Sequence, residues 1–178
     1  AMAAVMECVE RLAECNARWR ARGLPELRTR FGLSTGTVIV GNVGAESRLS
    51  YTVIGDTVNL AARLEGLNRA YGTEVLVGEG VHGATASLCD WRMVDLVAVK
   101  GRERAVRVYE PLGPAGETDA ARLEFARGYE HAWALYQERR FAEAIEAVRI
   151  LMRNQPDDPS LARLRYVCAE YASEPPPT

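Results

Sequence analysis

Hydrophobic positions recur at a helical period through residues 4–22, where Val5, Cys8, Val9, Leu12, Cys15 and Trp19 lie among Glu and Arg residues. Gly23 and Pro25 end that helix. The period then changes. Leu27–Leu33 and Thr37–Val43 read as extended stretches rich in β-branched residues, separated by Ser34-Thr35-Gly36. A third extended stretch, Ser50–Ile54, leads into Gly55-Asp56, and a helix is predicted from Thr57 to about Tyr71. Leu60, Leu64, Leu67 and Tyr71 form its buried stripe. Asp56 suits its N-cap, because a short carboxylate accepts hydrogen bonds from the free N–H groups of a first turn.

Glu74–Val77 reads as a strand, Glu79–Ser87 as a short helix, and Trp91–Val99 and Ala105–Leu112 as two more strands. Strands alternating with helices predict an α/β or α+β sandwich, with helices packed on a sheet. Gly113-Pro114-Ala115-Gly116 has the composition of a linker. Beyond it no strand signal remains from Asp119 to Tyr171. Three helical patterns stand there instead, built on Leu123/Tyr129/Trp133, Phe141/Ala144/Ile145/Val148 and Leu161/Leu164/Cys168. Pro-Pro-Pro-Thr closes the chain as an expected frayed tail.

Composition narrows the class. The 178 residues are 48% hydrophobic and 26% charged, too apolar for a disordered chain. The formal net charge is -2, from 22 Lys+Arg and 24 Asp+Glu, so nothing draws the chain toward nucleic acid or an anionic membrane. No apolar run reaches bilayer length, and no signal peptide is expected. Cys8, Cys15, Cys89 and Cys168 form no CxxC, and His82 and His131 stand apart. Reduced thiols in a cytosolic core are expected, without structural zinc.

Candidate chemistry concentrates in Gly41–Glu65, GNVGAESRLSYTVIGDTVNLAARLE. GNVG alone says little, since glycines permit a tight turn beside any ligand or none. Asn59 and Arg63 say more. Four residues apart on one helix, they project from the same face, offset by one from the Leu60/Leu64 stripe. An amide and a guanidinium so placed suit a hydroxyl and a phosphate, although on spacing alone a solvated helix face is the better reading.

SYTVIGDTVNLAARLE, preceded by GTVIVGNVGAESR and followed by LVAVKGRERAVRVYE, resembles the class III nucleotide cyclase catalytic domain, of the bacterial adenylate cyclase type. The resemblance runs from about Arg28 to Gly113, and the preceding helix fits it as well. It implies a ferredoxin-like α/β sandwich acting as a head-to-tail homodimer, with two active sites shared between chains. ATP would become 3′,5′-cyclic AMP and pyrophosphate by in-line attack of the ribose 3′-hydroxyl on the α-phosphorus. Two Mg²⁺ (or Mn²⁺) ions held by two aspartates serve that reaction in the family. On this resemblance Asn59 orients the ribose and Arg63 stabilises the transition-state charge. Thr52 stands where the family reads the base and favours ATP, and Lys100 grips the terminal phosphates, with Arg102 as the fallback. Asp56 caps a helix or meets an interface rather than a metal. Ser34 stands where the family often has histidine.

The family's two metal aspartates lie upstream of the matched stretch, and Glu7, Glu10 and Glu14 read as helical surface charges. The chain is therefore expected to be the C-terminal part of a cyclase, lacking the N-terminal strand and metal-binding part, holding no metal site and inactive alone. The expected organisation is a partial cyclase domain over 1–113, a linker over 114–118, an all-α helical tail over 119–172 and a disordered end over 173–178. YEHAWALYQERRFAEAIEAVRILMRNQPDD resembles one tetratricopeptide-like helix pair, which either caps the domain or meets a protein partner. This tail is expected to be dispensable for chemistry. A cytoplasmic setting is expected, with any membrane anchor upstream. The alternatives are a non-catalytic cyclase-like dimerisation or scaffold module, and a guanylate cyclase.

Overall fold

The structure, a computed structural model, describes residues 1–45, 48–98 and 105–174. Lys100, Arg102 and the Pro-Pro-Pro-Thr end lie outside the described residues. Helix α1 spans Met2–Arg20, and strand β1 covers Phe31–Leu33. Strands β2 (Ile39–Ala45) and β3 (Arg48–Ile54) form a hairpin that feeds helix α2 (Asp56–Tyr71). Then come β4 (Val75–Gly78), the short α3 (Glu79–Thr85), β5 (Cys89–Val97) and β6 (Val106–Pro114). Helices α4 (Ala120–Gln137), α5 (Phe141–Leu151) and α6 (Pro159–Ser173) follow.

Among the described residues the strands make a four-stranded sheet of order β1-β4-β6-β5, with β2 and β3 paired separately. Strand β1 runs parallel to β4, Phe31 opposite Val75 and Leu33 opposite Val77; the other neighbours are antiparallel. A parallel pair needs a crossover, and the hairpin with α2 supplies it. The stretch Leu27–Leu33, predicted as extended throughout, is a strand only at its end. The Asn16 amide explains this: its Nδ2 donates to Leu27 O at 2.8 Å, and Leu27 N–H donates to its Oδ1 at 2.9 Å. That reciprocal bond holds the chain against α1 before it enters the sheet.

Alternation along β4 divides the core. Val75 and Val77 face α1 and pack with Met2 and Cys89, while Leu76 faces α2 and packs with Leu60, Leu64 and Tyr71. Val94, Val106 and Val108 complete the α2 side. Helices α4–α6 bury their own cluster around Tyr129, Leu135, Val148, Leu161 and Cys168. Asp119 and Asp158 cap α4 and α6, accepting from Arg122 N–H and Leu161 N–H at 2.8 Å each. Cys89 and Cys168 are buried, and burial pushes the Cys168 thiol up to about 11. Cys8, expected in a core, is exposed on α1. No helix among the described residues is long and apolar enough to cross a membrane.

The three C-terminal helices pack on the sheet through a polar centre. Arg92 of β5 is 3% exposed, and its guanidinium pairs with Glu110 of β6 at 2.8 Å. It also donates to Ser160 Oγ of α6 at 3.3 Å and lies over the rings of Phe125 and Tyr129 of α4. Tyr129 Oη donates to Val94 O at 2.8 Å, and Met93 N–H donates to the Glu130 carboxylate at 2.6 Å. The glycine-rich turn into α4 is tied down as well, since the Asp90 carboxylate accepts from Gly116 N–H at 3.0 Å. Removing one partner of a buried pair leaves the other charge uncompensated. Arg92→Ala is therefore expected to lower the unfolding free energy by about 3–5 kcal/mol, read by denaturant titration. The apolar double replacement Arg92→Met/Glu110→Leu should recover most of that loss.

Candidate active site

Helix α2 sits on β1 with backbone touching backbone. A Cβ on Gly32 would fall 2.1 Å from Ala61 O and 2.4 Å from Glu65 N, so only glycine allows this approach. The inner face of the helix is then stitched to the strand by Asn68, which is 0% exposed. Its Nδ2 donates to Phe31 O and Leu64 O at 3.0 Å and to Glu65 O at 3.2 Å. Its Oδ1 accepts from Thr73 Oγ1 at 2.7 Å. Every hydrogen-bonding atom of this buried amide is used, which fixes both the height and the rotation of α2.

The start of the helix differs from expectation in one detail. Gly55, not Asp56, is the N-cap, and its carbonyl accepts from Val58 N–H at 3.0 Å and Asn59 N–H at 3.2 Å. Asp56 is the first helical residue and its side chain caps nothing. Its charge still favours the positive end of the helix dipole. Thr57 packs inward, where a Cβ on Gly36 would meet its Oγ1 at 2.4 Å.

With Leu60, Leu64, Asn68 and Tyr71 turned inward, Asn59 and Arg63 face out together and are exposed. Neither side chain bonds to another described residue, so amide and guanidinium are both available to a ligand. Thr52 is exposed on β3, opposite Gly41. A Cβ on Gly41 would meet nothing within 4 Å, so the space beside Thr52 is open. The structure thus brings Asn59 and Arg63 to one face and sets Thr52 on the ribbon leading into their helix. The hairpin exposes Ile39, Val43, Tyr51 and Val53. A cavity of about 560 Å³ lies away from this face, between Arg92, Glu110 and Arg122 at the seam with α4. The sequence reading missed Gly32 and Asn68. An amide four residues after Leu64, in line with the apolar stripe, was the available signal for Asn68.

A family model described as the adenylate and guanylate cyclase catalytic domain matches residues 3–110, from α1 into β6. The chain belongs to that family. Adenylate cyclase 1 of Rhizobium meliloti (strain 1021) is 50% identical to this cyclase chain over 104 residues, covering 58% of it and 16% of the relative. Adenylate cyclase of Anabaena cylindrica is 42% identical over 91 residues, covering 49% of the chain and 18% of the relative. The chain thus spans less than a fifth of the length of these relatives. Among solved structures, the adenylyl cyclase CyaB from P. aeruginosa matches with a TM-score of 0.48 and 31% identity, over 65% of this chain and 57% of that one. The guanylyl cyclase Cya2 matches with a TM-score of 0.46 and 30% identity, over 64% and 58%.

The bonding of Asn68 makes a sharp prediction for the cyclase helix. Asn68→Asp keeps the shape but turns a carboxylate oxygen toward three carbonyls. It is expected to cost about 3 kcal/mol or more at neutral pH, measured by thermal or denaturant unfolding. Part of that loss should return at acid pH, where the protonated carboxyl donates again.

Proposed function

We propose that this chain is part of an adenylate cyclase that converts ATP into 3′,5′-cyclic AMP and pyrophosphate. The observation that carries the reading is the pairing of Asn59 and Arg63, outward and unbonded among the described residues, on a helix whose seat fixes its rotation. In the reaction the ribose 3′-hydroxyl loses its proton to water, its oxygen attacks the α-phosphorus, and the bond from that phosphorus to the pyrophosphate oxygen breaks. Arg63 meets the charge that develops on the phosphoryl oxygens, where a planar guanidinium donates two parallel hydrogen bonds. Asn59, one turn earlier, holds the ribose in line for attack. Thr52 reads the adenine edge with its hydroxyl, and Lys100 would grip the terminal phosphates.

The family resemblance also implies Mg²⁺ or Mn²⁺. Among the described residues no three or more His, Cys, Asp or Glu side chains gather where they could hold a metal ion. No step is derived through one. An open face on α2 supports a site completed by a second subunit of a homodimer, with the exposed apolar ribbon β2–β3 available as contact surface. We place the reaction in the cytoplasm. For the C-terminal helices we infer a tetratricopeptide-like pair made by α4 and α5, supported by their close approach at Gly128, where a Cβ would fall 2.7 Å from Leu151 Cδ2. A protein partner would have to use its outer face, because α4 already covers β5.

Two assays test this reading. In the full-length protein that carries this chain, Arg63→Ala is expected to lower cyclic AMP turnover on the order of 10³-fold, by analogy with arginines that stabilise phosphoryl transfer. Unchanged turnover would remove Arg63 from the chemistry, no turnover by the parent protein would leave a cyclase-like scaffold, and faster turnover of GTP than of ATP would make the protein a guanylate cyclase. Residues 1–178 alone, given ATP with Mg²⁺ or Mn²⁺, are expected to form no cyclic AMP. Turnover by that chain would place the metal-binding groups within it.

A further inference from the structure

The far end of α2 is gripped by α6. Tyr71, the last residue of α2, donates its hydroxyl to the Asp95 carboxylate of β5. Burial, and then the Asp95 charge, push that phenol well above its ordinary pKa, so it stays a donor. The Arg163 guanidinium of α6 lies over the Tyr71 ring, 5.4 Å from its centroid. Directly after Tyr71, Gly72 takes a left-handed conformation with φ 70°, and a Cβ there would fall 2.7 Å from Cγ of Pro159. Pro159 is the first residue of α6. The helix that presents Asn59 and Arg63 is therefore fixed at two separated places: its middle on Gly32, and its end under α6.

We propose that α6 is a positioning clamp for α2, acting through Arg163 on Tyr71 and through Pro159 on Gly72. The proposal rests on the reading of α2 as the catalytic helix. Asn68 and the Tyr71–Asp95 bond still hold the last turns when the α6 contacts are lost, but less firmly, so the helix tilts about its middle. Asn59 stands about 6–8 Å along the axis from the Gly32 seat, so a tilt of about 5° moves it by roughly 0.5 Å. Misplacement on that scale matters for groups that act on a transition state. Ground-state binding of ATP, shared with base and phosphate contacts elsewhere, is much less sensitive. The C-terminal helices then take part in the chemistry, against the expectation that they are dispensable. Arg163 itself touches no reacting atom; it is a positioning residue.

Arg163 is exposed, so replacing it leaves the buried cluster of α4–α6 intact. In the full-length protein, Arg163→Ala should lower kcat about tenfold and leave KM for ATP within about twofold. Arg163→Lys, which keeps a cation over the ring, should restore most of the kcat. In residues 1–178, amide hydrogen exchange should speed up in the last two turns of α2 with Arg163→Ala and stay unchanged in α5. A kcat within twofold of the parent, or unchanged exchange in α2, would overturn the clamp. Arg63→Ala serves as the control. If it abolishes turnover while Arg163→Ala does not, the catalytic reading stands and the clamp falls. If Arg63→Ala leaves turnover intact, the catalytic reading itself has failed.

Discussion

Contact between the backbones of α2 and β1 sets the geometry on which the rest of the fold depends. A side chain at position 32 would hold the helix off the strand, and Asn68 could then not reach Phe31 O. Because Asn68 uses all its polar atoms, the helix has one rotation at which the amide is satisfied. That rotation turns Leu60 and Leu64 into the sheet and Asn59 and Arg63 out of it. A buried amide thereby decides which side chains of α2 face outward.

The two faces of the sheet are closed by different means. The α1 side is covered by apolar packing around Met2, Val75 and Val77. The other side is shared, with α2 over Leu76 and Val108 and the C-terminal helices over Arg92 and Glu110. An apolar seam would be satisfied by many sliding arrangements. A guanidinium that must meet a carboxylate, a hydroxyl and two aromatic rings admits few. The polar centre therefore orients the three helices as well as attaching them, and through α6 that orientation reaches the end of α2.

Much of this was legible in the sequence, and what was not has a common cause. The 3.6-residue stripe of α2 and those of α4–α6 announce themselves because each depends on local spacing, and so do the β-branched runs of the hairpin. The Asn59 and Arg63 spacing is legible for the same reason. The shortness of β1 was not, because it depends on an Asn16 amide 11 residues away. Nor was the role of Gly32, whose lack of a side chain matters only where α2 crosses it. Arg92 reads in sequence as one more charge in a strand. Its partners Glu110 and Ser160 lie 18 and 68 residues further on. Nothing local marks such groups; they are defined by the chain segments that fold back on them.

The 68-residue separation between Arg92 and Ser160 also has a meaning in time. At about 5–20 residues per second, a ribosome completes β6, the last strand, roughly 2–9 seconds before it reaches α6. Throughout that interval the part of the sheet face around Arg92 waits for the last of its cover. Had that face been wholly apolar, the nascent chain would offer its neighbours on a polysome a sticky surface. A hydrated guanidinium beside a hydrated carboxylate keeps the waiting face wettable, and the desolvation falls due only when the last helix arrives.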